Sequence, residues 1–227
     1  MSRNAKRRTK KYRPKEVLNP ALLYDVIVPQ LSTTDLDDLE MHALIALKRI
    51  ENGNGTDEDI ATIATVIDHA FVAAAAFEEK YDLRLLCYLA LAATMAAKGA
   101  MSKREVPDEC LIRIMREAVK LNRTLSEHCK RSELVEISRT ARKYYASIRT
   151  NPQDAFIVSP TDEDSSKDLQ ALEGYIGVTF INGKVRTGYL KFEEDRGKWV
   201  WKMPHEDMQV VISEPIFVLF VRKEKHK

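Results

Sequence analysis

The chain has 227 residues, 44% of them hydrophobic and 31% charged, with a formal net charge of +2. That length accommodates one large domain or two small ones, and the apolar content suffices for a core. The most apolar run, residues 85–97, is bounded by Asp82, Arg84 and Lys98 and is shorter than the ~20 residues that span a bilayer, so a membrane partner is not expected.

Residues 1–30 read as an extended basic arm. Arg3, Lys6, Arg7, Arg8, Lys10, Lys11, Arg13 and Lys15 fall within the first fifteen positions, with no acidic residue among them. Pro14, Pro20 and Pro29 prevent a continuous helix. Residues 17–28 are interrupted by Asn19, Pro20 and Asp25, which reads against a signal peptide. Residues 21–28, with Tyr24 among them, are apolar enough to lie along a core or another chain.

Residues 31–150 predict a domain of five helices. The first starts at the hydroxyls of Ser32, Thr33 and Thr34, followed by Asp35, Asp37 and Asp38. Leu36, Leu39, Leu44, Leu47 and Ile50 give it an apolar stripe, and residues 52–55, Asn-Gly-Asn-Gly, stop it. Thr56 and Asp59 open the second helix as a capping box, and Ile60, Ile63, Ile67, Ala70, Phe71 and Ala74 mark its buried face. Residues 83–98 are apolar nearly all round and predict a buried central helix capped at Gly99. Pro107 suits the first turn of the fourth helix, which carries Leu111, Ile114, Met115, Ala118 and Leu121. Thr124 and Glu127 have the spacing of another capping box, and Leu134, Ile137, Ala141, Tyr144 and Ile148 trace the fifth helix. The Ala-rich stretches 73–76 and 90–97 permit close helix packing, in a core or a dimer interface.

Residues 151–168 read as an acidic linker. From 169 to 227 the period switches to two, predicting a small antiparallel β-sheet or barrel domain with a basic tail. Asn182-Gly183 between alternating segments is the strongest short-range hairpin signal. Strands are expected at residues 175–181, 184–192, 199–203, 208–212 and 216–221. A unit so small should pack on the helices or on another subunit. The expected fold class is therefore α+β.

Charge alternates along this plan. Residues 16–110 hold 7 Lys or Arg against 17 Asp or Glu, while residues 111–150 hold 10 against 4. Basic arms favour polyanions, because Lys and Arg neutralise phosphates and release counterions. Arg3, Lys6, Arg7, Arg8, Lys10, Lys11, Arg13 and Lys15 are the candidate nucleic-acid contacts, with Tyr12 available to stack on a base. Arg139, Arg142 and Lys143 extend that footprint, and Arg113, Arg116, Lys120 and Arg123 are further candidates. The competing reading is a solvated helix face, or an arm docked on the acidic helices. Tyr24, Trp199 and Trp201 are candidate protein-binding anchors, since Tyr and Trp dominate interface hot spots.

Catalytic signals are weak. His42, His69, His128, His205 and His226 have no metal-ligand spacing, and neither C-x-x-C nor H-E-x-x-H occurs. Phosphate-binding glycine loops and a nucleophile elbow are missing from the sequence too. Cys87, Cys110 and Cys129 read as buried, free thiols of a reducing compartment. No catalytic residue, metal or cofactor is expected.

The segment Lys10-Lys11-Tyr12-Arg13-Pro14-Lys15 followed by Val17 resembles the start of small proteins encoded by bacteriophages and prophages. Residues 41–47, 55–60 and 64–70 are similar to a helical hairpin of that group, so the likeness spans residues 6–75. It implies a viral accessory role in a bacterial cytoplasm and brings no reaction with it. Three functions stay open. One is an accessory protein binding nucleic acid or a nucleoprotein complex through basic arms. Another is an inhibitor or adaptor that binds a host protein complex, for example a bacterial defence system. The third is a virion or assembly component, in which the chain would form a homo-oligomer.

Overall fold

The structure, a computed structural model, describes residues 32–75, 81–145, 155–159, 173–204 and 208–225. Among these residues five α-helices precede a six-stranded antiparallel sheet, an α+β architecture. The helices are α1 (Thr33–Glu51), α2 (Asp57–Ala75), α3 (Tyr81–Ser102), α4 (Glu109–Glu127) and α5 (Arg131–Tyr145).

Local chemistry places the helix starts. Ser32 caps α1 in a reciprocal box with Asp35. Thr56 does the same for α2: its backbone N–H and hydroxyl both donate to Asp59 at 2.9 Å, and its hydroxyl accepts from the Asp59 N–H. Asp108 caps α4, so Pro107 lies just before that helix rather than in its first turn. Two expectations shift. Helix α3 continues through Gly99 to Ser102, and the chain turns at Arg104, which takes a φ of 64°. The Thr124–Glu127 pair belongs to the last turns of α4, where the Thr124 hydroxyl donates to the Lys120 carbonyl. Helix α5 starts at Arg131, with the Lys130 N–H donating to Glu133 at 2.7 Å.

Helix α3 lies between the other helices and the sheet. Cys87, Leu89, Ala90, Leu91, Ala92, Ala93, Thr94 and Ala97 are all buried, and α2, α4 and the sheet pack on it. By length and composition alone, residues Leu83–Ser102 also suffice to cross a membrane, contrary to the reading of a run too short. In this fold 44% of that window is buried, against α2, α4 and the sheet. The alanines let α2 and α3 approach closely, as Phe71 does edge-on to Tyr88 with ring centroids 4.9 Å apart. Cys87, Cys110 and Cys129 are buried and free. Burial pushes the Cys87 thiol up to about 12, so it packs as a small hydrophobe.

The strands are β1 (Ala155–Val158), β2 (Tyr175–Ile181), β3 (Lys184–Glu193), β4 (Lys198–Met203), β5 (Met208–Val211) and β6 (Ile216–Lys225), in the order β1-β6-β2-β3-β4-β5. Strand β1 falls inside the stretch read as a linker. Four residues with no period of their own gain a strand by pairing with β6, Val158 opposite Ile216. The β2–β3 turn is the Asn182-Gly183 hairpin, with φ of 51° and 75°, both on the left-handed side as a type I′ turn requires.

The sheet serves two cores. From one face Phe180 and Phe217 join the helical core, with Val185 and Leu219 beside them. From the other, Leu190, Trp199, Trp201, Met203, Val218 and Phe220 form a second core. Gly177 and Gly188 are paired across β2 and β3, and the Trp201 indole lies against both. A Cβ at Gly188 would collide with the Lys202 carbonyl and that indole. Trp199 and Trp201, expected as exposed anchors, are therefore interior side chains, 5% and 0% exposed. The glycine pair makes the room that a tryptophan needs to lie flat on a sheet.

Candidate functional site

Among the described residues, a cleft of about 560 Å³ opens between α1, α2, α4 and α5. That volume falls within the roughly 300–1,000 Å³ of ligand clefts. Its α2 wall is Ala61, Thr62, Thr65, Val66, His69 and Ala73, and its α5 wall is Leu134, Val135, Ile137 and Ser138. Leu39 and His42 overhang it from α1, and Asn122 and Ser126 close it from α4.

The helical period explains why a cleft opens here. Ile60, Ile63, Ile67, Ala70, Phe71 and Ala74 turn one side of α2 into the core. The other side carries short residues, which leave space opposite α5. Leu134, Val135 and Ile137 on α5 end up only half-buried, and Leu39 on α1 is 56% exposed.

The cleft wall is less polar than its composition implies. The Thr62 hydroxyl donates to the Glu58 carbonyl at 2.9 Å, Thr65 to Ala61 at 2.8 Å and Ser138 to Leu134 at 2.9 Å. With those protons committed to their own helices, the threonines offer mainly methyl groups to an occupant. Charged and titratable groups, Glu58, His42, His69 and Arg131, accompany this apolar wall. Among the described residues, no group of three or more His, Cys, Asp or Glu could hold a metal ion. The Asp68 carboxyl is buried too, and loss of solvent alone pushes it up to about 6. It acts electrostatically on Cys87 of α3, on the core side of α2.

The cationic candidates separate into distinct groups. Arg3, Lys6, Arg7, Arg8, Lys10, Lys11, Tyr12, Arg13, Lys15 and Tyr24 lie outside the described residues. Arg139 is exposed on α5, 3.5 Å from Glu136. Arg142 and Lys143 fall in the C-terminal part of α5, and their side chains lie outside the described set. The α4 cations are all engaged. Arg116 meets Glu51 at 3.3 Å, Arg113 meets Glu214 at 3.3 Å and Lys120 meets Glu117 at 2.6 Å. Arg123 bridges Asp37 of α1 at 2.7 Å and Glu127 at 2.8 Å, with Glu40 at 3.6 Å, and only 16% of its side chain is exposed. Those carboxylates strengthen its positive form. Part of the charge alternation thus pairs within the molecule, with Arg116 and Arg123 of α4 set against α1; Arg123 is largely enclosed, while Arg113, Arg116 and Lys120 stay partly exposed.

Sequence reasoning missed the cleft. Its signal was an irregularity, because Leu39, placed on one stripe with Leu36, Leu44, Leu47 and Ile50, is exposed and overhangs the cleft. No protein-family model, no curated protein and no solved structure matches the chain.

Proposed function

We propose that this chain is a non-enzymatic binding protein of phage type, an adaptor or inhibitor that seats an apolar segment of a partner protein in the cleft between α2 and α5. The observation that carries the reading is an open, methyl-lined cleft in an otherwise closely packed bundle, overhung by the exposed Leu39. An enclosed polar site would suit a small charged ligand better. A wall of Ala, Thr, Val and Leu suits aliphatic or aromatic side chains. Three free, buried thiols fit the reducing cytoplasm of a bacterial host.

A second reading rests on its own observation, the eight Lys or Arg in the first fifteen residues. They would add contact with nucleic acid or a nucleoprotein, with the arm as its main carrier, since it alone has no acidic residue among its cations.

The test is a pull-down from bacterial lysate with and without nuclease, using the full chain and Thr65→Arg. Thr65 is exposed, so a guanidinium there fills the cleft without disturbing the core. A partner that survives nuclease and is lost with Thr65→Arg supports the cleft. A partner that ignores the substitution overturns it. For the arm, DNA and RNA are titrated against the full chain and a variant lacking residues 2–15. Neutralising about five phosphates gives a slope of log K against log salt near −4 to −5. Equal binding by both forms, or none, rejects that reading.

A further inference from the structure

The outer face of α1 is apolar where a surface helix is ordinarily polar. Met41, Leu44 and Ile45 are 54%, 36% and 45% exposed, and their i, i+3, i+4 spacing puts them on one face. Leu36, Ala43, Ala46, Leu47 and Ile50 already supply the core-facing side, so this second apolar face serves no packing within the described fold. Its ends are oppositely charged. Asp37 and Asp38 lie one turn before Met41, and Lys48 and Arg49 lie one turn after Leu44 and Ile45.

We propose that this face pairs with the same face of a second copy, the two α1 helices running antiparallel about a two-fold axis near residue 43. Such an axis matches positions whose numbers sum to about 86. Met41 then lies opposite Ile45 of the other copy, Leu44 lies beside the axis, and Asp38 lies opposite Lys48; Asp37 and Arg49 occupy matching positions too, but they are already held by Arg123 and Asp59. A two-fold interface must be self-complementary, and this sequence is: acid, apolar, apolar, base along one face reads as its own partner when reversed. The parallel alternative stacks acid on acid and base on base. Asp38 has no ion-pair partner among the described residues, and Lys48, with 66% of its side chain exposed, pairs only with its neighbour Glu51. The core of three apolar side chains is small beside a standard interface of ~1,600 Å². The dimer therefore exchanges with monomer, and its population depends on concentration. This surface is separate from the inside of the cleft, so the proposal stands or falls without the partner-binding reading.

Sedimentation equilibrium on the full chain over a range of concentrations tests it. The expected result is a monomer–dimer equilibrium. Ile45→Glu, which sets a carboxylate against Met41 twice in each dimer, should weaken association at least about tenfold. Asp38→Lys and Lys48→Asp should each weaken it by placing like charges together, and the double variant should recover it, because both signs are exchanged. All three positions are exposed, so a thermal unfolding transition that stays cooperative in each variant confirms an intact fold. A monomer at every concentration, as expected if residues 1–31 cover the face within one chain, overturns the proposal. So does a double variant no better than the single ones.

Discussion

Helix α2 has two sides that meet the rest of the protein differently. Its core side is closed: Ile60, Ile63, Ile67, Ala70, Phe71 and Ala74 are buried, and Phe71 is held edge-on by Tyr88 with the Arg84 guanidinium 4.8 Å from its centroid. Its α5 side is open: Ala61, Thr62, Thr65 and His69 face Leu134, Val135 and Ser138 across a cleft of about 560 Å³. Both sides belong to one continuous helix of ordinary propensity. Side-chain volume makes the difference, since branched residues fill one side and short ones leave the other unfilled. Stability should therefore reside on the first side and binding on the second.

The largest effect expected from breaking this division is at Ile67, which is fully buried. Ile67→Ala removes three buried carbons and leaves a cavity, costing about 3 kcal/mol. Urea unfolding reads the loss as a lower midpoint with an unchanged slope.

Asp68, on the closed side, comes next. Burial raises its carboxyl to about 6 from an ordinary 3.8. The fold therefore prefers the neutral acid. Its contribution is complete below about pH 4, where both states are protonated, and is lost as pH rises through 6, a change of about 2–3 kcal/mol. Asp68→Asn should flatten the stability profile between pH 4 and 7. An identical slope in the variant would place that titration elsewhere. Asp35, Glu51 and Asp59 run the other way. The Ser32 hydroxyl holds Asp35 low, and Lys48 holds Glu51 low. For Asp59, burial works upward but hydrogen bonds from Thr56 and the charge of Arg49 outweigh it. Their stabilisation is present above the usual carboxylate range and is lost only in stronger acid.

A smaller effect belongs to the start of the helix. Thr56→Ala deletes the hydroxyl that accepts from the Asp59 N–H and donates to its carboxylate, at a cost of about 1 kcal/mol. The smallest is on the open side. Thr65→Val keeps the shape and its exposed setting, and its stability should stay within about 0.5 kcal/mol of the parent. If Thr65→Val destabilised the protein as much as Ile67→Ala, the two sides would not be energetically distinct.

Much of the fold was legible because it depends on neighbours in the chain. The hydroxyl caps at residues 32–34, the capping box at Thr56, the 3.6-residue period of α2 and α4, the apolar girth of α3 and the Asn182-Gly183 turn are all local signals. The sheet strands after residue 173 were found to within a few residues at each end for the same reason. Strand β1 was not, because four residues acquire a strand only by pairing with β6, more than fifty positions later. The candidate site was less legible still. Composition alone made Trp199 and Trp201 attractive anchors, but their burial depends on the glycines of two other strands. Arg123 looked like a phosphate contact until α1 brought Asp37 and Glu40 beside it.

By itself, then, the sequence determined where α1, α2 and the Asn182-Gly183 hairpin begin, which side of α2 is buried, and that positive charge is concentrated in the first fifteen residues. These depend on caps, periodicity and composition, whose range is a few residues. Tertiary structure alone decided which cations are already neutralised, which aromatics are interior, and where apolar surface is left over on α1 and between α2 and α5. Pairing, burial and empty volume are relations between segments distant in the chain, and only the packed fold brings those segments together.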